Sequence, residues 1–291
     1  MSTRPLSVRP AADAPLRPFL KWAGGKTRVV PRLREALAEV EGDRLVEPFV
    51  GSGAVFLNLP RFRRLLLADA NADLVGVYRH VLADLDGLLA EARALFTPSH
   101  NTRDAYLAVR AEFNALDIGG RDRAARFLYL NRHGFNGLCR YNAAGGYNVP
   151  FGRYAAPALP EAQLRAVHRR LVEAEHVEIV HADFRDVFAA HVRIGDVVYA
   201  DPPYVPLSAT ASFTAYARQG FEAADQAELA AAARGAAGRG IPVLVSNHDL
   251  PSVRALYAGA RVTSFPVRRS ISRDGATRAE VAELLALFTA D

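Results

Sequence analysis

The sequence is poor in cysteine and has no long hydrophobic run in its 291 residues. Because Cys139 is the only cysteine, an intramolecular disulfide and a zinc site built on several thiolates are excluded. No apolar run reaches the roughly 18 residues that a membrane-spanning helix needs. Residues 1–17 are rich in arginine and proline, with no apolar stretch behind them. We therefore expect a flexible N-terminal tail, no secretory signal, no membrane association and a cytoplasmic location.

Lysine is also nearly absent, and the basic residues are almost all arginines. The only two lysines, Lys21 and Lys26, lie close together. Residues 121–170 hold nine arginines against two acidic residues, a local charge of +7 in a chain whose net charge is +5. A basic block in an otherwise near-neutral chain is typical of a protein that binds a polyanion. On charge alone, arginine-rich helix faces exposed to solvent remain an alternative.

What the chain does contain is an alternation of short apolar runs and helical patterns. Helical periodicity covers 73–117, with breaks near Pro98 and Asn101, and continues over 122–132, 160–173 and 223–237. Residues 141–149 predict a hairpin around a Gly-Gly turn. The pattern predicts an α/β fold: a mostly parallel, Rossmann-like sheet with antiparallel closing strands and a basic, mainly helical insert between about 70 and 165. The predicted strands are 45–46, 65–68, 177–180, 197–200, 243–246, 262–270 and 282–288.

A glycine turn follows the first predicted strand. Phe49, Gly51 and Gly53 belong to this turn, and Asp69 ends the next strand, 18 residues after Gly51. Glycines allow a nucleotide to approach the backbone closely, and an acid at this position can accept hydrogen bonds from ribose hydroxyls. The pattern lacks the third glycine of the dinucleotide fingerprint, so an ordinary tight strand–helix turn is the alternative.

The second motif, Asp201-Pro202-Pro203-Tyr204, directly follows an apolar strand. At the carboxyl end of a parallel strand its side chains face the ligand crevice. An aromatic amino group is a poor nucleophile because its lone pair is delocalised into the ring. A carboxylate and a fixed carbonyl that each accept one N–H favour a more tetrahedral nitrogen. Prolines restrict the backbone that carries the carbonyl, and Tyr204 can stack on a base.

Two further regions carry candidate binding residues. Trp22, next to Gly24 and Gly25, can pack on a sulfonium or an adenine ring, although a tryptophan in the core of a loop is equally compatible with the sequence. The insert segments 130–142 and 148–154 combine arginines, amides and aromatics on glycine-rich loops. These residue types can contact base edges and phosphates and can wedge into a duplex. A protein interface is the alternative for this region.

With these motifs in this order, the chain resembles the bacterial Dam DNA adenine methyltransferases from Phe19 to the strand at 280–288. An insert between the glycine turn and Asp-Pro-Pro-Tyr is typical of the alpha group of amino methyltransferases. The resemblance implies a Rossmann-like methyltransferase sheet at 18–70 and 165–291, with a target-recognition domain at 71–164. The matching segments are 19–26, 47–53, 132–142, 148–154, 199–204 and Ser246-Asn247-His248-Asp249.

The same resemblance implies the reaction and its partners. Methyl would pass from S-adenosylmethionine to the exocyclic nitrogen of an adenine flipped out of double-stranded DNA, within the palindrome GATC, without a metal and by a monomer. Rival acceptors are cytosine N4, RNA adenine and a protein glutamine amide. A catalytically silent DNA-binding regulator is a rival of another class. Cys139 lacks a Pro-Cys context, which disfavours cytosine C5 chemistry.

Residue roles also follow from the resemblance. The catalytic set would be Asp201, Pro202, Pro203 and Tyr204. Contacts to S-adenosylmethionine, or the shape of its pocket, would come from Trp22, Lys26, Phe49, Gly51, Gly53, Asp69, Asp183 and Asp201. Base readout would come from Lys21, Leu138, Arg140 and Pro150, and phosphate contacts from Asn142, Asn148, Arg153 and Tyr154, with Arg132 and Asn136 in the same loops. Phe135 and His133 replace tyrosines of the family, Phe135 at the position of the wedge, and Ala200 replaces a cysteine.

Overall fold

A computed structural model describes residues 15–206, 221–267 and 281–290 of the chain. Most of the predicted tail at 1–17, the last three residues of the predicted strand at 262–270, and Glu280 lie outside the described residues. None of the helices within the described ranges is long and apolar enough to span a membrane.

The centre of the fold is a seven-stranded sheet in the order β3-β2-β1-β4-β5-β7-β6. Strands β1 to β5 pair in parallel, β7 runs antiparallel to β5, and β6 runs antiparallel to β7. The predicted mostly parallel sheet with antiparallel closing strands is therefore confirmed. The strands are β1 Arg44–Glu47, β2 Arg64–Asp69, β3 His176–His181, β4 Asp196–Ala200, β5 Val243–His248, β6 Arg261–Val267 and β7 Val281–Phe288.

Three helices of the insert begin at polar residues that satisfy free backbone N–H groups. Asn71 accepts hydrogen bonds from the backbone of the first turn of α3, and Asp84 and Thr102 do the same for α4 and α5. The break at Asp84 adds to the predicted breaks near Pro98 and Asn101. The helices are α1 Val30–Ala36, α2 Ala54–Asn58, α3 Ala72–Ala83, α4 Leu85–Leu95, α5 Arg103–Ala115, α6 Arg121–His133, α7 Glu161–Val172, α8 Phe184–Asp186, α9 Ala223–Ala237 and α10 Pro251–Leu256.

Both faces of the sheet are covered, which explains why its strands are apolar throughout. Alternate residues of β1 point to opposite faces, so that Leu45 joins the core beneath α3 to α7 and Val46 joins the core beneath α9 and α10. Helix α3 packs against β2, β3 and α6. The helical insert thus lies on one face of the sheet, and α9 with α10 lies on the other.

The hairpin within the insert differs from its prediction in one detail. Tyr141 and Tyr147 form an antiparallel bridge, as predicted for a hairpin. The turn is closed by a hydrogen bond from Gly145 N to Asn142 O of 2.8 Å, so its central residues are Ala143 and Ala144. Gly145 follows in the left-handed region with a φ of +83°. The predicted Gly-Gly centre is therefore wrong, because a type I turn followed by a left-handed bulge residue needs only one glycine.

Candidate active site

The predicted site residues meet at one edge of the sheet. The glycine turn follows β1, Asp69 ends β2 and Asp201 follows β4. Since these three strands are parallel neighbours, their carboxyl ends lie together. Adjacent parallel strands form a ligand crevice at this edge.

The glycine turn adopts a conformation that most residues avoid. Gly51 and Gly53 have φ values of +47° and +77°, where a side chain would be strained. The Tyr78 hydroxyl donates to Gly51 O at 3.0 Å. A Cβ at position 51 would also lie 3.0 Å from Nε1 of Trp22. The turn therefore keeps an open backbone surface that is bordered by the Trp22 indole.

Both carboxylate oxygens of Asp69 accept backbone hydrogen bonds, one of them from this turn. Gly51 N donates to Oδ2 at 3.1 Å, and Asn71 N donates to Oδ1 at 2.9 Å. Burial raises the pKa of Asp69 to about 6 although these two bonds oppose the shift. At neutral pH the carboxylate is largely ionised and able to accept further hydrogen bonds.

Aromatic rings lie beside the same crevice. Phe49 stacks on Phe184 with ring centroids 5.5 Å apart, and Phe221 meets Phe49 edge-on at 5.7 Å. Asp183 precedes Phe184 and accepts a hydrogen bond from Arg185 N at 2.9 Å. The Arg185 guanidinium also contacts Asp183, and it ties this loop to the first turns of α9 through Asp225 and Glu228.

Asp201 has one partner on each carboxylate oxygen. Ser246 Oγ donates to Oδ1 at 2.7 Å, and Lys26 Nζ lies 2.9 Å from Oδ2. The Lys26 ammonium also donates to Gly24 O at 2.6 Å and lies 4.6 Å from the centre of the Tyr204 ring. Lys26 is buried. The structure thus brings one predicted cofactor residue, Lys26, into contact with two predicted catalytic residues.

Tyr204 and the two proline carbonyls complete this region. The Tyr204 hydroxyl donates to Glu283 at 3.2 Å, and its ring lies edge-on to His248 at 4.8 Å. The Pro203 carbonyl accepts a hydrogen bond from Gln226 at 2.7 Å. Within the part of the chain that the structure describes, no donor bonds the Pro202 carbonyl. Its hydrogen-bonding capacity is therefore not used by any described residue.

The predicted DNA-contacting residues fall into two groups, of which the first surrounds Lys21. Lys21 Nζ donates to Arg132 O at 3.1 Å and lies 3.7 Å from the centre of the Tyr154 ring. The Tyr154 hydroxyl accepts from Asn136 N at 2.9 Å. Burial, followed by the charge of Arg132, lowers the pKa of Lys21. Phe135, the candidate wedge, projects from this group with 48% of its surface exposed.

The second group lies on the hairpin. Arg140 Nε donates to Asn148 Oδ1 at 2.7 Å, and Asn142 Oδ1 accepts from Gly146 N at 2.8 Å across the turn. Pro150 connects the groups because its carbonyl accepts from Phe135 N at 2.9 Å. Leu138 is partly buried against the core, and Arg153 is exposed.

The remaining arginines of the basic block are mostly engaged within the chain. Arg123 is buried in an ion pair with Asp73, and Arg170 donates to the carbonyls of Phe56 and Phe62. Most of the positive charge in this block is therefore engaged by groups of the chain itself. Further arginines that pair with acidic side chains are Arg121, Arg126 and Arg165.

Three buried residues of the site were not predicted as site residues. Ser246 contacts Asp201, and Gln226 contacts the Pro203 carbonyl. Glu47 accepts a hydrogen bond from Phe56 N, in the first turn of α2, at 2.7 Å. Burial raises the pKa of Glu47 well above its usual range. Only Ser246 had a signal in the sequence that could have identified it: it directly follows the apolar run at 243–245 and begins the Ser-Asn-His-Asp motif.

Comparison with known proteins identifies the family. The model of the D12 class N6 adenine-specific DNA methyltransferases matches residues 22–271. The chain belongs to this family. The resemblance deduced from the motifs is thereby confirmed, and so is site-specific DNA adenine methylation as the class of activity.

Individual relatives agree over nearly the whole chain. A DNA adenine methylase of Vibrio cholerae serotype O1 is 47% identical over 274 residues, covering 94% of this chain and 96% of that protein. The DNA adenine methylase of Escherichia coli K12 is 47% identical over 272 residues, covering 94% and 95%. That of Serratia marcescens is 45% identical over 273 residues, covering 94% and 98%.

A more distant structural likeness exists to the rRNA methyltransferase AviRa of Streptomyces viridochromogenes. It has a TM-score of 0.35 and 17% identity, covering 95% of this chain and 87% of that protein. Among the described residues, no group of three or more histidine, cysteine or acidic side chains is placed to hold a metal ion.

Proposed function

We propose that the chain transfers a methyl group from S-adenosylmethionine to N6 of an adenine that is flipped out of a GATC site in double-stranded DNA. The observation that carries this proposal is the position of Asp201. Its carboxylate lies at the same sheet edge as the glycine turn, beside a Pro202 carbonyl that no described residue uses.

The residues around the glycine turn fit S-adenosylmethionine. Gly51 leaves open a space that a Cβ would fill against Trp22, and Asp69 offers an acceptor for ribose hydroxyls. Phe49 belongs to the cluster of aromatic rings with Phe184 and Phe221, which would enclose an adenine. Asp183 directly precedes Phe184. When bound, S-adenosylmethionine supplies an electrophilic methyl group. The Trp22 indole borders this region.

The acceptor residues hold the adenine amino group. Asp201 accepts one N–H and the Pro202 carbonyl accepts the other, which favours a nitrogen with an available lone pair. An ionised carboxylate offers about four acceptor positions, so Ser246 and Lys26 leave room for this bond. Tyr204 stacks on the extruded ring, and this contact offsets part of the few kcal/mol that flipping costs.

Recognition of the duplex is assigned to the two groups on the insert. Arg140, Lys21, Leu138 and Pro150 are proposed to read base edges. Asn142, Asn148, Arg153 and Tyr154 are proposed to bind phosphates. Arg132, whose carbonyl accepts a hydrogen bond from Lys21 Nζ, is assigned to the first of these groups.

The proposal extends to the organisation of the protein. We assign residues 18–70 and 165–291 to cofactor binding and transfer, and residues 71–164 to target recognition. We further propose that the protein acts as a monomer. Because chromosomal and phage DNA lie in the bacterial cytoplasm, we propose a cytoplasmic location.

One experiment tests both target and chemistry. Plasmid DNA from a methylation-deficient host that expresses the protein is digested with a nuclease that cuts only unmethylated GATC. We expect full protection with the unchanged protein and none with Asp201→Ala, which should retain most of its DNA affinity. Cleavage of both samples, together with no transfer of tritium from labelled S-adenosylmethionine to duplex DNA, would favour the silent regulator.

A further inference from the structure

The segment Ser246-Asn247-His248 at the end of β5 is not explained by any contact to cofactor or DNA proposed above. Its side chains are buried, with exposures of 1%, 0% and 5%, and they face the loop at 201–205. Ser246 contacts Asp201. Val205 N donates to Asn247 Oδ1 at 3.2 Å, and His248 Nδ1 lies 2.7 Å from Val205 O. One strand end therefore supports the backbone of the candidate catalytic loop.

Gln226, in the first turn of α9, extends this support to the middle of the loop. Its Nε2 donates to the Pro203 carbonyl at 2.7 Å, and its Oε1 accepts from Asn247 Nδ2 at 3.0 Å. Gln226 is 4% exposed. Asn247 Nδ2 also lies 3.1 Å from the Tyr257 hydroxyl. Gln226 and Asn247 thus form an amide pair that connects two backbone groups of the same loop.

The orientation of this amide pair is determined by its two ends. The Val205 N–H can only donate, so Asn247 must present its oxygen there. The Pro203 carbonyl can only accept, so Gln226 must present its nitrogen. The two remaining amide atoms then meet in the correct order, with the nitrogen of Asn247 donating to the oxygen of Gln226.

The two prolines increase the importance of this support. Neither has an N–H, so the loop cannot stabilise itself through these amides, and the proline ring restricts the φ angle of Pro203. Holding the Pro203 carbonyl therefore restricts the orientation of the preceding peptide, which carries the Pro202 carbonyl. It also restricts the orientation of the peptide that joins Pro203 to Tyr204, and with it the position of the Tyr204 backbone.

We propose that Gln226 is a positioning residue for methyl transfer. Held by Asn247, it fixes the Pro203 carbonyl and so keeps the Pro202 carbonyl and Tyr204 in place to receive the target adenine. This inference rests on the acceptor role that we propose for Asp201 and Pro202.

The test uses the full chain, tritium-labelled S-adenosylmethionine and a GATC duplex under single-turnover conditions. In Gln226→Met the side chain keeps its length but loses its hydrogen bonds to the Pro203 carbonyl and to Asn247. We expect the rate constant of transfer to fall about 10- to 100-fold, as misplacement of a reacting group by about 1 Å does. The dissociation constants for cofactor and duplex should change by less than about twofold, because no binding contact is lost.

The control is a buried amide remote from the loop. Asn58 is 2% exposed and bonds the backbone of Leu16 and Ala54. Asn58→Leu should lower the Tm about as much as Gln226→Met and leave the transfer rate unchanged. If both variants slow transfer equally, the effect is one of general stability and the proposal is wrong.

A second variant probes the amide pair without removing Gln226. In Asn247→Asp the side chain still accepts from Val205 but no longer donates to Gln226, so the Gln226 amide loses its fixed orientation. We expect a loss of rate similar to that of Gln226→Met, and no larger loss when the two changes are combined. Losses that multiply would show independent effects and overturn the proposal. Asp201→Ala in the same assay separates the hypotheses: if it retains activity, the acceptor assignment itself fails.

Discussion

At the scale of single residues, Asp69 is the group whose charge we expect to matter most for binding of the proposed cofactor. It lies at the end of β2, and its carboxylate bonds the backbone of the glycine turn. Burial raises its pKa to about 6, from an ordinary value near 4. The ionised form is the one that can accept two ribose hydroxyls, so modest acidification removes the acceptor.

We therefore predict that the affinity for S-adenosylmethionine is constant above about pH 7 and weakens below about pH 6, approaching tenfold per pH unit. Titration calorimetry between pH 5 and pH 8 measures this directly. Asp69→Asn should bind more weakly than the unchanged protein above about pH 7 and show no such dependence.

The sign of the stability effect separates this prediction from acid unfolding. Because the pKa of Asp69 is raised in the folded chain, its contribution to stability is fully present below about pH 4 and is lost as the pH rises through about 6. Acid therefore does not unfold the protein through this group. An affinity that stays constant down to pH 5 would contradict the role assigned to Asp69.

A second prediction at this scale concerns Arg140, which is exposed and held by Asn148. A guanidinium that bonds a guanine edge contributes about 1–3 kcal/mol of discrimination. Arg140→Ala should reduce the preference for GATC over a duplex changed at one base pair by that amount, as measured by competition between cognate and mismatched duplexes. Unchanged discrimination would assign base reading to other residues.

At the scale of elements, a buried ion pair joins two helices of the insert. Arg123 of α6 bonds Asp73 of α3 at 2.5 Å and donates to the carbonyls of Phe113 and Leu116. The Tyr141 hydroxyl donates to the same aspartate at 2.6 Å. One carboxylate thus joins α3, α6 and the recognition hairpin.

Removal of one partner of a buried ion pair leaves a buried charge uncompensated. We predict that Arg123→Met lowers the free energy of unfolding by about 3–5 kcal/mol, measured by urea denaturation at neutral pH. Arg121→Met, two residues away on the same helix, removes exposed ion pairs with Asp84 and Glu91 and should change stability little. Equal effects of the two changes would contradict this account.

The elements were predictable where local signals suffice. The apolar runs that became β1, β2 and β4, and the glycine turn between them, follow from short stretches of sequence. The contact of Ser246 with Asp201 joins residues 45 positions apart, and it depends on β5 pairing with β4. The Asp73–Arg123 pair spans 50 positions. Such contacts depend on strand order and helix packing, which local patterns do not specify.

At the scale of the whole molecule, most of the arginines that the structure describes within the block at 121–170 are engaged by groups of the chain itself. Arg165 pairs with Glu161 and Asp86 on the outside of the insert, whereas Arg153 lies exposed in the recognition loops. Arg153→Ala should reduce the slope of log K against log salt concentration by about 0.9, the contribution of one phosphate contact. Arg165→Ala should leave that slope unchanged. Binding at five salt concentrations measures both, and equal slopes for the two variants would refute the assignment.

Cys139 has a practical consequence for experiments on the whole molecule. It is 2% exposed, and burial raises the pKa of its thiol to about 12, so thiol-reactive dyes have no thiolate to attack at neutral pH. A fluorophore coupled to Phe135→Cys would therefore report from one known position without removal of the native cysteine. Insertion of this loop tip into a duplex could then be followed in real time.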